Sequence, residues 1–357
     1  MKNFKILALN LGSTSTKLAV YEGEECKMQQ VLRHSQEEMG AIKTMADNAA
    51  FRKPLILDFL KSNDVDIKSF DAIVGRGGLM RPIPGGTYAV NQAMLDDLNS
   101  CQYGTHASNL GGIIAHEIAT EIGVPAYIVD PVVVDELSDL ARLSGHPEFK
   151  RRSTFHALNQ KAIAKRYAAE VGKDYTELNL IVAHMGGGIT VGAHQQGRVV
   201  DCNNGLDGEG PFSAERPGGL PVLEVLRVLH EGKLGDYDTL RRTLTSRCGL
   251  ISYLGTNDGI EVEKRVRAGD KEAETVYHGM AYQISKEIGA MSAVLCGKVD
   301  AILLTGGFAY DKMVTGWISE YVSYIAPVKI YPGEDEMGAL TAGALRVLRG
   351  EEEVKTY

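Results

Sequence analysis

Asn10-Leu-Gly-Ser-Thr-Ser-Thr-Lys17 gathers a glycine, four hydroxyl side chains and a lysine between two apolar stretches. Glycine admits a ligand close to the backbone, hydroxyl and N–H groups donate hydrogen bonds, and lysine adds a point charge, a combination that suits phosphate oxygens. Gly12, Ser13, Ser15 and Lys17 are therefore candidate phosphate-binding residues. The segment is not a Walker loop: no second glycine precedes Lys17, Leu18 stands where Ser or Thr belongs, and a strand rather than a helix follows. Taken alone, it reads equally well as an ordinary polar hairpin. A second loop, His184-Met-Gly-Gly-Gly-Ile-Thr190, shifts that balance, because Gly186, Gly187 and Gly188 follow the apolar run Leu180–Ala183 and expose backbone to a ligand. A third, Leu303-Leu-Thr-Gly-Gly-Phe308, places Gly306 and Gly307 at the end of another apolar run, where nucleotides commonly bind.

These loops need strands to carry them. Phe4–Leu9 reads as a buried strand and Lys17–Tyr21 as its hairpin partner, while Gln92–Leu98, Leu110–Ile122, Ala157–Val171 and Glu272–Val294 read as helices. Met337, Leu340, Thr341, Ala344, Leu345 and Leu348 recur at helical spacing, and Arg346, Arg349 and Gly350 suit the end of a final amphipathic helix. The chain also repeats itself. Ala8–Thr16 aligns with Val182–Thr190 as strand, glycine turn and strand, and Asp71-Ala-Ile-Val-Gly-Arg-Gly-Gly78 matches Asp300-Ala-Ile-Leu-Leu-Thr-Gly-Gly307 at five of eight positions. The same two elements in the same order favour a duplicated domain over chance recurrence of strand–glycine junctions.

Paired phosphate hairpins in a duplicated α/β chain resemble the actin-like ATPase superfamily. Ala72-Ile-Val-Gly-Arg-Gly-Gly-Leu79, Arg81–Tyr88, Thr105–Gly112, Phe155-His-Ala-Leu-Asn-Gln-Lys161, Ala183–Ala193 and Arg198–Phe212 narrow this to the acetokinase family and resemble its butyrate kinases in order along essentially the whole chain. Acetate kinases typically read His-Arg-Val-Val-His-Gly-Gly where this chain has Gly75-Arg-Gly-Gly78, which favours the butyrate branch.

The resemblance implies an α/β, duplicated actin-like ATPase (ribonuclease H-like) fold with an interdomain active-site cleft. The first domain would span 1–152 on the acid-substrate side, with a C-terminal helix over 337–357 packing back on it, and the second 153–336 on the nucleotide side. It implies reversible, ATP- and Mg²⁺-dependent phosphorylation of butyrate to butyryl phosphate by direct in-line transfer, ATP-forming in fermentation. Isobutyrate, propionate or another short or branched acid is the alternative substrate. An Hsp70-like ATP-driven switch, a reading of another class, would need a partner-binding domain for which the chain has no spare length. A carboxylate is already ionised near neutral pH, so the chemistry requires charge neutralisation rather than a strong base. Carried over residue by residue, the catalytic candidates are Arg76, Asp130, His156, His184 and Arg216. Asn10 and Glu336 would position Mg²⁺, with Asp335 adjacent to Glu336 as the other choice. Asn257 and Asp258 lie in the expected adenosine loop, where Ile260 replaces the arginine of acetate kinases and puts base contacts there in doubt. A homo-oligomer is expected.

Composition bounds the remaining classes. With 357 residues, 44% hydrophobic and 24% charged, the chain has core material for two domains. Lys plus Arg number 38 against 46 Asp plus Glu, for a net charge of −8, so the footprint of a nucleic-acid or anionic-membrane binder is missing. Five scattered cysteines, Cys26, Cys101, Cys202, Cys248 and Cys296, form neither a metal spacing nor a disulfide framework, as expected for reduced thiols in the cytoplasm. The apolar stretch from Ile6 to Asn10 is shorter than the ~7–15 residues of a secretory core, and no run reaches the ~18 residues of a membrane span.

Overall fold

The computed structural model describes residues 2–40 and 42–357. They form two units, one built from the chain up to Val134 together with Asp335–Tyr357, the other from Asp135–Glu334.

The first unit is organised around β1 (Lys5–Gly12), β2 (Ser15–Glu22), β3 (Glu25–Arg33), β4 (Ala72–Gly75), β5 (Thr87–Ala89) and β6 (Ala126–Val129). The second carries β7 (Asn179–Met185), β8 (Ile189–Gln195), β9 (Arg198–Cys202), β10 (Ala301–Gly306) and β11 (Val328–Pro332), and β12 (Lys355–Thr356) returns to the first. The strand orders are β12-β5-β6-β4-β1-β2-β3 and β11-β10-β7-β8-β9. The run β6-β4-β1-β2-β3 thus recurs as β11-β10-β7-β8-β9. Strand directions agree as well: β6, β4 and β1 are parallel, as are β11, β10 and β7, while the two hairpin strands that follow are antiparallel in both. Register is shared too, since Ile6 faces Ala72 and the aligned Leu180 faces Ala301. The copies diverge by one residue at the turn: Leu11 faces Thr16, whereas Met185 faces Ile189.

Strands buried on both faces explain the apolar runs. Ile6, Leu7, Ala8 and Leu9 are fully buried in the first unit, as are Leu180, Ile181, Val182 and Ala183 in the second, where Ile181 and Ala183 face one apolar cluster and Leu180 and Val182 another. The helix Asn109–Ile122 lies against β4 and the helix Lys271–Val294 against β8. No helix among the described residues is long and apolar enough to cross a membrane.

Three sequence boundaries move. The C-terminal helix does not run over 337–357: it spans Glu336–Leu348, and Lys355–Thr356 pairs with β5, a strand too short for periodicity to announce. The units part after Val134 rather than after residue 152, because Glu136 is bound to Lys161 and to Val199 N, and Arg151 to Asp201 and Glu209. Glu336, assigned from sequence to the second domain, belongs with the first unit.

Candidate active site

In the first unit β1 and β2 pair Asn10 with Lys17, so both side chains share one face of the hairpin. β4 runs parallel to β1 and ends at Gly75, and Arg76 follows with its backbone N–H donating to Leu9 O at 2.8 Å. The guanidinium Nη1 lies 2.7 Å from Glu336 Oε1 and 3.5 Å from Asn10 Oδ1, and Asn10 Nδ2 donates to Glu336 Oε2. Three residues remote in sequence thus converge. Asp335 is otherwise engaged: as N-cap of the last helix it accepts from Gly338 N at 2.8 Å, leaving Glu336 to face Asn10 and Arg76. The strand end depends on close packing, since a Cβ on Gly75 would sit 2.1 Å from Gly111 O. His106 is also close to Arg76; burial first, and the Arg76 charge second, lower its pKa below the ordinary 6.5.

Asp130 caps the end of β6 and stands apart from this trio. Its Oδ1 accepts from Gly86 N at 2.7 Å, and no hydrogen bond or ion pair joins it to Arg76. Its φ of 37° lies in the left-handed region that a non-glycine residue rarely adopts, a strain of order 1–3 kcal/mol.

In the second unit His184 and Thr190 are a directly opposed pair of β7 and β8. The helix Ala157–Glu170 lays one turn over them, with His156, Asn159 and Gln160 on a common face. His156 and His184 stack at 3.8 Å between ring centroids, 12° from parallel. His184 Nδ1 lies 3.0 Å from Asn159 Oδ1, which makes it a donor, and Nε2 lies 3.7 Å from Glu334 Oε2.

Behind His156 a buried chain assigns protons. Gln160 Nε2 donates to the Thr190 carbonyl at 3.1 Å, which fixes the amide and turns Oε1 to His194 Nε2 at 3.0 Å. His194 Nε2 is therefore protonated and Nδ1 accepts from Tyr175 at 2.7 Å. Thr190 Oγ1 accepts from Gln160 Nε2 at 2.9 Å and from His156 N at 3.4 Å, so its own proton goes to His156 Nδ1 at 2.9 Å. With Nδ1 accepting, the His156 ring carries its proton on Nε2. Complete burial, with the Lys161 charge adding to it, holds the His194 pKa well below 6.5 and keeps this ring neutral.

The glycine loop is clipped to the segment bearing Arg216: Ser213 Oγ donates to Gly187 O at 2.5 Å and Glu215 N to the same oxygen at 3.3 Å. Arg216 Nη1 pairs with Glu215 at 3.2 Å, while its Nε is buried without a hydrogen-bond partner. Glu215 also accepts from Asn257 Nδ2 at 2.7 Å. A cavity of about 470 Å³ opens beside this group, lined by Gly186, Gly187, Asn257, Asp258, Gly307 and Phe308 among others. Gly306 has φ +89°, and a Cβ there would meet Met185 O at 2.5 Å, so only glycine brings β10 this close to β7. Asp258 accepts from Ile260 N as a helix N-cap, which accounts for that residue without a ligand. Sequence reasoning missed Asn159, Gln160, Thr190 and His194; all but His194 stand in the motifs Phe155–Lys161 and His184–Thr190, which was the available signal.

The fold is shared with the acetate kinase of Porphyromonas gingivalis, at TM-score 0.80 and 18% identity, covering 97% of this chain and 100% of that one. A propionate kinase from Francisella tularensis aligns at TM-score 0.70 and 18% identity over 95% and 98% of the two chains. Two glycine hairpins on duplicated sheets of this kind define the class of fold: α/β, of the actin-like ATPase kind. Residues 146–314 match the model of the acetokinase family. Along 354 residues, 99% of each chain, the sequence is 54% identical to butyrate kinase 2 of Clostridium acetobutylicum. The chain belongs to the acetokinase family, whose members are carboxylate phosphotransferases.

Proposed function

We propose that the protein is a butyrate kinase, transferring the γ-phosphoryl group of ATP to butyrate and, in reverse, forming ATP from butyryl phosphate. The observation that carries this reading is the 54% identity to the clostridial butyrate kinase along essentially both chains. The side chains support it. The Arg76 fork can hold a carboxylate or a phosphoryl group in bidentate fashion. His156, protonated on Nε2, can donate to an oxygen of the transferring group. Arg216, with a buried donor to spare, offers further charge neutralisation. Gly12, Ser13, Ser15, Lys17 and Gly186–Gly188 would hold phosphates, and the cavity beside Asn257 and Gly307 would take the nucleoside.

Asn10 Oδ1 and the Glu336 carboxylate are hard oxygen donors, and no cluster of three or more His, Cys, Asp or Glu among the described residues forms a metal cage. Two protein oxygens, completed by water and substrate phosphates, fit Mg²⁺, which would neutralise phosphate charge there. In the transfer, a carboxylate oxygen of the acid bonds to the γ-phosphorus as the bridging P–O bond to ADP breaks. The bonding pair leaves with ADP, and no proton need move. Asp130, held by Gly86, would shape the acid side rather than exchange protons. Trapping of an acyl phosphate by hydroxylamine tests the proposal, and the acid giving the strongest signal names the substrate.

A further inference from the structure

Arg52, on the helix Met45–Ser62, is fully buried, and no carboxylate among the described residues pairs with it. Its donors go to the turn between β1 and β2. Nη1 donates to Gly12 O at 2.9 Å, Ser15 O at 2.7 Å and Thr16 Oγ1 at 3.2 Å, and Nη2 to Ser13 O at 3.1 Å. Nε donates to Asn48 Oδ1 at 2.8 Å, which sets the plane of the guanidinium. A two-residue hairpin normally relies on turns with positive φ, yet neither Ser13 nor Thr14 has one. An external clamp therefore stands where the turn's own geometry does not suffice.

We propose that Arg52 is the positioning residue of the phosphate hairpin: by drawing the carbonyls of Gly12 and Ser13 toward the helix, it turns the N–H groups of Ser13 and Thr14 outward to phosphate oxygens. The step follows from the trans peptide, in which a carbonyl and the next residue's N–H point in opposite directions. Thr14 O is taken by His34 N at 2.9 Å, so the remaining tip carbonyl is also held back. Successive strand residues alternate faces, so Thr16, bound to Arg52, lies opposite the face that carries Asn10 and Lys17. Arg52 thus acts from behind the turn. Its charge is surrounded by neutral acceptors, and a phosphate on the hairpin supplies the compensating anion.

This inference rests on the hairpin's binding of nucleotide phosphates, and affinities for MgATP and adenosine separate the two ideas. Adenosine lacks the phosphates that the hairpin would hold, so it reports the nucleoside cavity alone. In the full-length Arg52→Lys and Arg52→Gln proteins, calorimetry should show MgATP binding weakened about tenfold or more, with adenosine affinity within about twofold of wild type. KM for the carboxylate should likewise hold within about twofold. A purely structural clamp would change thermal stability and leave the MgATP-to-adenosine ratio alone, and that result overturns the proposal. If neither variant folds, Asn48→Ala loosens the guanidinium while keeping its charge and should lower the same ratio about threefold; an unchanged ratio again overturns it. Wild-type protein that binds MgATP no more tightly than adenosine removes the phosphate reading itself.

Discussion

At the scale of single residues, buried polar groups set the tautomer of a half-buried histidine. The chain from Tyr175 through His194, Gln160 and Thr190 makes His156 Nδ1 an acceptor. Thr190→Val removes the hydroxyl and frees the ring to carry its proton on either nitrogen. The expected result is a kcat lower by about tenfold, about 1.4 kcal/mol of barrier, with both KM values nearly unchanged. An unaltered kcat contradicts the assignment. His194 also couples stability to pH. Its folded pKa lies below the unfolded 6.5, so below 6.5 the unfolded state binds the extra proton and stability falls as pH falls. The contribution approaches about 1.4 kcal/mol per pH unit below 6.5 until the folded group protonates. Denaturant unfolding between pH 7.5 and 5.5 should show this loss, and His194→Gln should flatten it; equal slopes in the two proteins would refute the role. The proton assignment was not visible in sequence: Gln160 and Thr190 stand in recognised motifs and His194 in an apolar strand, but only their buried contacts give them this meaning.

At the scale of elements, glycines decide where functional strands end. Gly111 on its helix and Gly75 on β4 touch backbone to backbone, and a Cβ on Gly111 would lie 2.1 Å from Arg76 O. Gly111→Ala must push β4 and Arg76 away from the helix. It should cost about 1–3 kcal/mol in stability and reduce kcat more than KM for the nucleotide. Denaturant midpoints and steady-state kinetics matching wild type would show that this approach does not position Arg76. The glycine turns were legible because an apolar run followed by glycine has few other uses, and so were Phe4–Leu9 and the helices with clear spacing. The helix bearing Arg52 escaped notice. Pro54 interrupts it, a residue that argues against a helix interior, and a helical arginine reads as solvent-facing. β12 pairs only two residues with β5, which no periodicity can register.

At the scale of the whole molecule, duplication is the organising fact. β1 and β7 occupy equivalent places, and so do the strand-end residues Asn10 and His184, yet one lies with Arg76 and Glu336 and the other with a histidine stack and a glycine loop. A repeated framework has thus acquired two different chemistries. The repeats could be read from sequence, because strand patterns survive divergence. The convergence of Asn10 with Glu336 could be read only through family resemblance, since no local signal links residues so far apart. In the proposed function both chemistries serve phosphoryl transfer to a small carboxylate. The most direct test is an acyl-hydroxamate assay with MgATP and acetate, propionate, butyrate, isobutyrate and valerate. A butyrate kinase should give hydroxamate formation that peaks at butyrate. MgATP binding without hydroxamate from any of these acids would contradict it.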